Sequence, residues 1–189
     1  MQSIANIMTY ELPVSKRAER TLMIGAGVVL LTLGAYVRIP LPFTPVPVTL
    51  QTFFVLLIGA MMGRKYGVLT MLSYIGIGAV GMPVFQGYGY GFAHIAGPTG
   101  GYLAGFAFAA YVIGRLNGNG AGRTVLALLA GEIIIYSSGV LWLSYIFKLS
   151  IYQSFLMGVL PFLPGEILKL SAAAAIACKF GNKIRDYIV

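Results

Sequence analysis

A compact bundle of six apolar helices set in a membrane, with both chain ends cytoplasmic, is the fold the sequence predicts, as one transmembrane domain over residues 1–189. Three observations predict it. The chain is 58% hydrophobic and 10% charged, with a mean hydropathy of +0.86, far from the balance of a soluble domain. Long apolar runs recur, broken by glycine, proline and isolated basic residues. When those runs are counted as spans, one side receives Lys16, Arg17, Arg20, Arg64, Lys65, Arg115, Arg123, Lys179, Lys183 and Arg185, and the other only Arg38 and Lys148. That asymmetry marks a cytoplasmic face, and an odd number of spans spoils it.

Residues 1–20 carry Glu11, Pro13 and Glu19 and no apolar run ahead of a small-residue cleavage site. They read as a cytoplasmic segment, not a secretory signal, which leaves 21–180 for the bundle. The first apolar run, 22–37, ends at Arg38 and at Pro40, Pro42, Pro45 and Pro47. The missing N–H groups of those prolines stop the helix and impose a stiff extended loop. Runs 48–62 and 66–80 follow, separated by Gly63, Arg64 and Lys65. Each reaches only about 22 Å across a core of about 30 Å, so a re-entrant hairpin is as compatible with them as two full spans.

Residues 81–101 hold many glycines and aromatics and no Lys, Arg, Asp or Glu. That composition describes irregular backbone buried in protein. The remaining helices are read over 100–113, 124–147 and 152–177, the last kinked by Pro161, Pro164 and Gly165.

The charge of +8 does not point to nucleic acid, because its cations form no stripe along which a phosphate backbone could lie. Cys178 is the only cysteine, so neither an intrachain disulfide nor a cysteine cage is available, and no metal site is expected. The glycines at 97, 100 and 101 lack the GK[ST] ending of a phosphate loop. ATP hydrolysis is thereby excluded, and with no Ser–His–Asp set and no HExxH there is no case for an enzyme or a catalytic residue.

Lys169 lies ten residues before Lys179, about 15 Å inside the cytoplasmic face if the chain between is helical. Glu166 shares its helix face, and Glu132, nine residues inside Arg123, falls at similar depth. Charges at mid-membrane face a partner, a wet cavity or a ligand. Two readings stand: a structural ion pair of Lys169 with Glu132 or Glu166, or a ligand site. Two carboxylates facing one lysine leave an excess of negative charge, which the N–H donors of a cyclic urea would relieve. Gln51, one turn into its helix, is either a capping residue or a polar contact. Phe85, Tyr88, Tyr90, Phe92, Tyr102 and Trp142 are candidates for an aromatic lining. His94, without Cys or carboxylate neighbours in sequence, reads as a hydrogen-bonded loop residue and not a metal ligand.

Four segments in order carry a family resemblance: Val46-Pro47-Val48-Thr49-Leu50-Gln51-Thr52, Gly81-Met82-Pro83-Val84-Phe85, Gly97-Pro98-Thr99-Gly100-Gly101-Tyr102, and Leu160-Pro161-Phe162-Leu163-Pro164-Gly165-Glu166-Ile167-Leu168-Lys169. Over residues 20 to 180 the chain resembles the BioY biotin transporters, the substrate-binding S components of energy-coupling factor (ECF) transporters. The resemblance implies a multi-pass protein of the bacterial cytoplasmic membrane that takes up biotin with no other cofactor. Implied partners are a membrane coupling subunit and two ATPase subunits, or none if the protein works alone. It also implies a ligand site in which Glu166 and Lys169 are the acidic and basic pair.

Where the family usually has Asp this chain has Glu166, and Gly89 and Leu103 stand where some members have Asn and Arg. Recognition of a carboxylate would then lean on Lys169, Gln51 or the N–H groups near Gly97, Gly100 and Gly101. The small-residue face by which such proteins pack on their coupling subunit corresponds to Gly25 and Val29, the latter bulkier than alanine. Coupling is then weaker, different or absent. The rival readings are an S component for another vitamin, such as thiamine or riboflavin, and a non-transport intramembrane enzyme or structural bundle.

Overall fold

The computed structural model describes residues 15–188, without the side chains at 182, 183 and 185–188. Residues 1–14 of the expected N-terminal segment, and the Lys183 and Arg185 side chains counted above as cytoplasmic, lie outside the described residues. Helix α1 (Lys16–Tyr36) starts earlier than the apolar run. Ser15 caps it, its Oγ accepting from Ala18 N at 3.3 Å, and Glu19 complements the positive end of the dipole. Residues 16–20 are thus helical and not a separate segment. The proline-rich segment, expected as an extended loop, folds back on itself: only its two arms, β1 (Arg38–Ile39) and β2 (Val48–Thr49), are extended and pair antiparallel, and a turn at 42–43 and a bend at 45–46 join them.

Helix α2 (Gln51–Ala79) is not straight. Gly63 has φ 70 and ψ −178, a region open essentially to glycine alone, and the chain reverses there. Gln51 Nε2 donates to Tyr74 Oη at 2.8 Å across 23 residues, which a straight helix would hold about 35 Å apart. The two halves therefore lie antiparallel, as the Gly-Arg-Lys break allowed. A 3-10 turn at Gln86–Tyr88 and α3 (Gly91–Ile95) follow, so the glycine-rich stretch is irregular over most of its length. Helices α4 (Gly100–Leu116) and α5 (Ala121–Phe147) are a turn or less longer than predicted. Helix α6 (Ile151–Gly158) opens on a Ser150/Gln153 capping box, and α7 (Leu163–Ile188) follows at a 62° bend, where the prolines placed the kink.

By length and composition α1 and α5 are each able to cross a membrane, the bent α6–α7 pair qualifies as a further broken span, and α2 reaches that length only when its two antiparallel halves are taken together. The architecture is all-helical and multi-pass. The core is built from Leu31, Leu56, Met71, Tyr74, Phe85, Ile113, Leu128 and Ile135, all under 2% exposed. Large apolar side chains such as Leu72, Phe108, Leu126, Ile133, Leu141 and Ile167 cover the outside, as expected where the solvent is hydrocarbon.

Gly63→Ala should lower thermal stability in detergent by about 1–3 kcal/mol, because any side chain there is strained by the backbone itself. Gly76→Ala, where an added Cβ likewise meets nothing within 4 Å, should be neutral or slightly stabilising. Equal effects would show that the reversal does not depend on the Gly63 conformation.

Candidate functional site

A cavity lies between the halves of α2, the β2 arm, the glycine-rich loop, α4, α5 and α7. Its apolar walls come from Val46, Pro47, Phe85, Leu103, Phe106 and Phe162, and polar atoms enter from Gln51, Gln86, Thr99 and Glu166. This is the composition of a small-molecule pocket, mostly apolar with a few placed polar groups.

Position follows from packing. Gln51, the first residue of α2, is 5% exposed and donates to Tyr74, whose hydroxyl donates to Val84 O at 2.9 Å. That relay ties both halves of α2 to the loop that delivers Phe85. Phe85 is 1% exposed, edge-on to Tyr74 and stacked on His94 with centroids 5.0 Å apart. Tyr102, in the first turn of α4, lines the cavity with its ring while its hydroxyl donates to Gly158 O at 2.7 Å.

At the cavity's charged end, Lys169 Nζ donates to Glu166 Oε1 at 2.6 Å, Thr49 O at 2.5 Å and Thr52 Oγ1 at 3.1 Å. Three acceptors match the three N–H donors of an ammonium. Thr52 Oγ1 donates in turn to Glu166 Oε2 at 2.8 Å, so both carboxylate oxygens are held. Glu166 is 5% exposed and faces the cavity, while Lys169 stands behind it and is not part of the wall. Four buried polar atoms lack a partner in hydrogen-bond geometry among the described residues: Gln86 Oε1, on the cavity wall, both oxygens of Glu132, and Ser154 Oγ.

Residues 7–186 match the BioY family, which settles the family. The chain belongs to the BioY family. Among its relatives, the biotin transporter BioY of Thermotoga maritima is 40% identical over 161 residues, covering 83% of this chain and 94% of that protein. A probable biotin transporter BioY of Pyrococcus horikoshii is 39% identical over 161 residues, 85% of this chain and 95% of the relative. The fold is also that of a crystallised S component for biotin from an ECF-type ABC transporter, with a TM-score of 0.80, 23% identity, and coverage of 87% of this chain and 91% of that one.

In this BioY-family chain the residues singled out in the sequence fall into distinct groups. Gln51, Phe85, Tyr102 and Glu166 meet at the cavity. Tyr88 and Tyr90 do not: they are 67% and 61% exposed. At Tyr88 a left-handed φ of 60 turns the ring out onto Tyr36, with centroids 4.6 Å apart. Phe92 is 75% exposed and likewise no lining residue. Trp142, Gly97, Gly100 and Gly101 stand behind the wall. Trp142 Nε1 donates to Gly97 O at 2.8 Å, and a Cβ at Gly101 would run into the Trp142 side chain and Ser138 O. Small residues there let the glycine-rich loop seat directly on α5.

Lys169 is engaged by Glu166 and not by Glu132, whose carboxylate lies within electrostatic reach of Glu166 and Lys169 but shares no hydrogen bond with the lysine. Gly25 and Val29 lie exposed on one face of α1. Thr52, Tyr74, Tyr136 and Phe162 also line the cavity; Thr52 and Phe162 fall within the motif segments but are not singled out there, and nothing in the local sequence of Tyr74 and Tyr136 marks them. His94 lines it too, in place of the bland loop role expected. Its stack on Phe85 buries the ring and pushes its basicity below the ordinary value of 6.5.

Thr52→Val should destabilise the protein by about 1–3 kcal/mol, since it strips a donor from buried Glu166 and an acceptor from Lys169. Thermal unfolding in detergent reads this, and an unchanged transition would show the threonine to be dispensable. A second expectation concerns pH. Because burial lowers the folded His94 value, the unfolded chain takes up the proton first as pH falls through 6.5, so stability is lost on acidification and levels off below the folded value. His94→Gln should flatten that part of the stability profile, and an identical profile would remove His94 from the account.

Proposed function

We propose that this chain binds biotin from the outer side of the cytoplasmic membrane and mediates its uptake, as the S component of an ECF transporter or alone. The observation that carries this is the cavity, with aromatic and aliphatic walls for a bicyclic ring and Glu166, held by Lys169 and Thr52, for ureido N–H groups. The names of its relatives, and of the solved structure whose fold it shares, support the same ligand.

In this reading Glu166 touches the ligand and Lys169 acts through it. The ammonium offsets the carboxylate charge, so Glu166 stays an acceptor in an apolar setting. Lys169 would reach a ligand carboxylate or carbonyl only by releasing Thr49 O or Thr52. Gln51, Gln86 Oε1 and the loop seated on Trp142 supply the remaining polar contacts. No residue in the wall has the arrangement of a nucleophile with its base, and the family is one of transporters, not enzymes.

Six crossings follow if α1, each half of α2, α4, α5 and the α6–α7 pair count once each. Both termini are then cytoplasmic, beside Arg64, Lys65, Arg115 and Arg123, with Arg38 and Lys148 outside. The exposed Gly25 and Val29 face of α1 would meet a coupling subunit joined to two ATPases.

Equilibrium binding of radiolabelled biotin to the purified protein, with thiamine and riboflavin as competitors, tests the assignment. Biotin alone should compete. Lys169→Ala should weaken binding by about 2 kcal/mol or more, because it leaves Glu166 buried without its counter-charge. Unchanged affinity in a folded variant, or displacement by another vitamin, would falsify the reading.

A further inference from the structure

On the side of the molecule where the α2 halves turn, Arg20, Arg64, Lys65 and Arg115 converge from α1, the Gly63 turn and the end of α4 on a single groove over Tyr66. Among the described residues no acidic side chain lines it. The groove is built, not incidental. Gly114 lets α4 approach the Arg64 backbone, which sets Arg115 beside the turn. The Tyr66 ring carries Arg20 and Lys65, each 5.5 Å from its centroid, which keeps both cations over the groove. Arg64, Lys65 and Arg115, gathered in this way, repel one another and favour an anion between them.

The surroundings identify the anion's carrier. Leu69 lies one helical turn from Lys65 and Tyr111 one turn from Arg115, on the same faces, and they are 40% and 49% exposed. Each cation therefore leads directly onto apolar surface. A free phosphate would use the charges and leave that surface bare, whereas a phospholipid would use both. Basic pockets between helices at a membrane surface recognise anionic headgroups in this manner.

We propose that this groove is a binding site for the phosphate of an anionic phospholipid headgroup, with an acyl chain lying along Leu69 or Tyr111. The site is remote from the vitamin cavity and does not depend on its assignment.

Native mass spectrometry of the full chain in a neutral detergent, titrated with dioleoylphosphatidylglycerol or dioleoylphosphatidylcholine, tests it. The anionic lipid should be retained at concentrations lower by about tenfold. Arg64→Gln combined with Arg115→Gln should abolish that preference. Arg17→Gln combined with Lys179→Gln, which removes the same charge outside the groove, should keep it. Equal retention of the two lipids by the unaltered protein would overturn the proposal, whatever the folding of the variants. So would equal loss in both double variants, which would reduce the preference to net charge. Displacement of the anionic lipid by inorganic phosphate would assign the groove to a soluble anion instead.

Discussion

An ammonium and a carboxylate held inside a bundle of apolar helices set the terms for the rest of the molecule. Unpaired, either charge at this depth would cost several kcal/mol. Paired, they still need every donor and acceptor met. Lys169 and Glu166 stand one turn apart on α7, but the atoms that complete them, Thr49 O and Thr52 Oγ1, lie more than a hundred residues away in sequence. The end of β2 and the first turn of α2 must therefore arrive at α7 in register. The proline-rich loop that stiffens the approach, and the bond from Leu50 N to Gly34 O at 3.0 Å, fix that arrival. The bend after α6 turns Glu166 inward instead of along the lipid face.

The same constraint explains what the sequence made legible. Lys169 and Glu166 stood out because ionisable residues are rare in apolar runs, and their depth followed from helical rise alone. The kink before them was marked by Pro161 and Pro164, whose effect on a helix is local. Thr52 and Tyr74 carried no such mark. A threonine and a tyrosine in an apolar helix are unremarkable until the reversal at Gly63 and the packing of α7 bring their hydroxyls to Glu166 and Gln51. That information is long-range and does not reside in any window of sequence.

Aromatic composition misled for a related reason. Phe85, Tyr88, Tyr90 and Phe92 sit within eight residues of one another, and composition treats them alike. The backbone does not. Phe85 is drawn in by Tyr74 and His94, whereas the left-handed turn at Tyr88 sends its ring to α1, where Tyr36 also donates to Pro83 O. Which aromatics of an irregular loop face inward depends on individual φ values, and no periodicity reports them.

Glu132 shows where local reasoning and structure part most usefully. Depth placed it with Lys169, yet the lysine already has three acceptors, and the Glu132 carboxyl lies against Glu166 instead, with no partner in good hydrogen-bond geometry among the described residues. A buried carboxyl group left in this way is tolerable only if something is gained in exchange. Its neighbourhood to Glu166 means that any change in the charge held at Glu166 is felt at Glu132 as well. A ligand that draws Lys169 away from Glu166 therefore has to replace that counter-charge beside a second carboxyl group, while a ligand that donates to Glu166 and leaves the lysine in place keeps the ion pair intact. The second is the less costly way to occupy the cavity. It favours a neutral donor at this end of the pocket over an anion, independently of the shape of the walls.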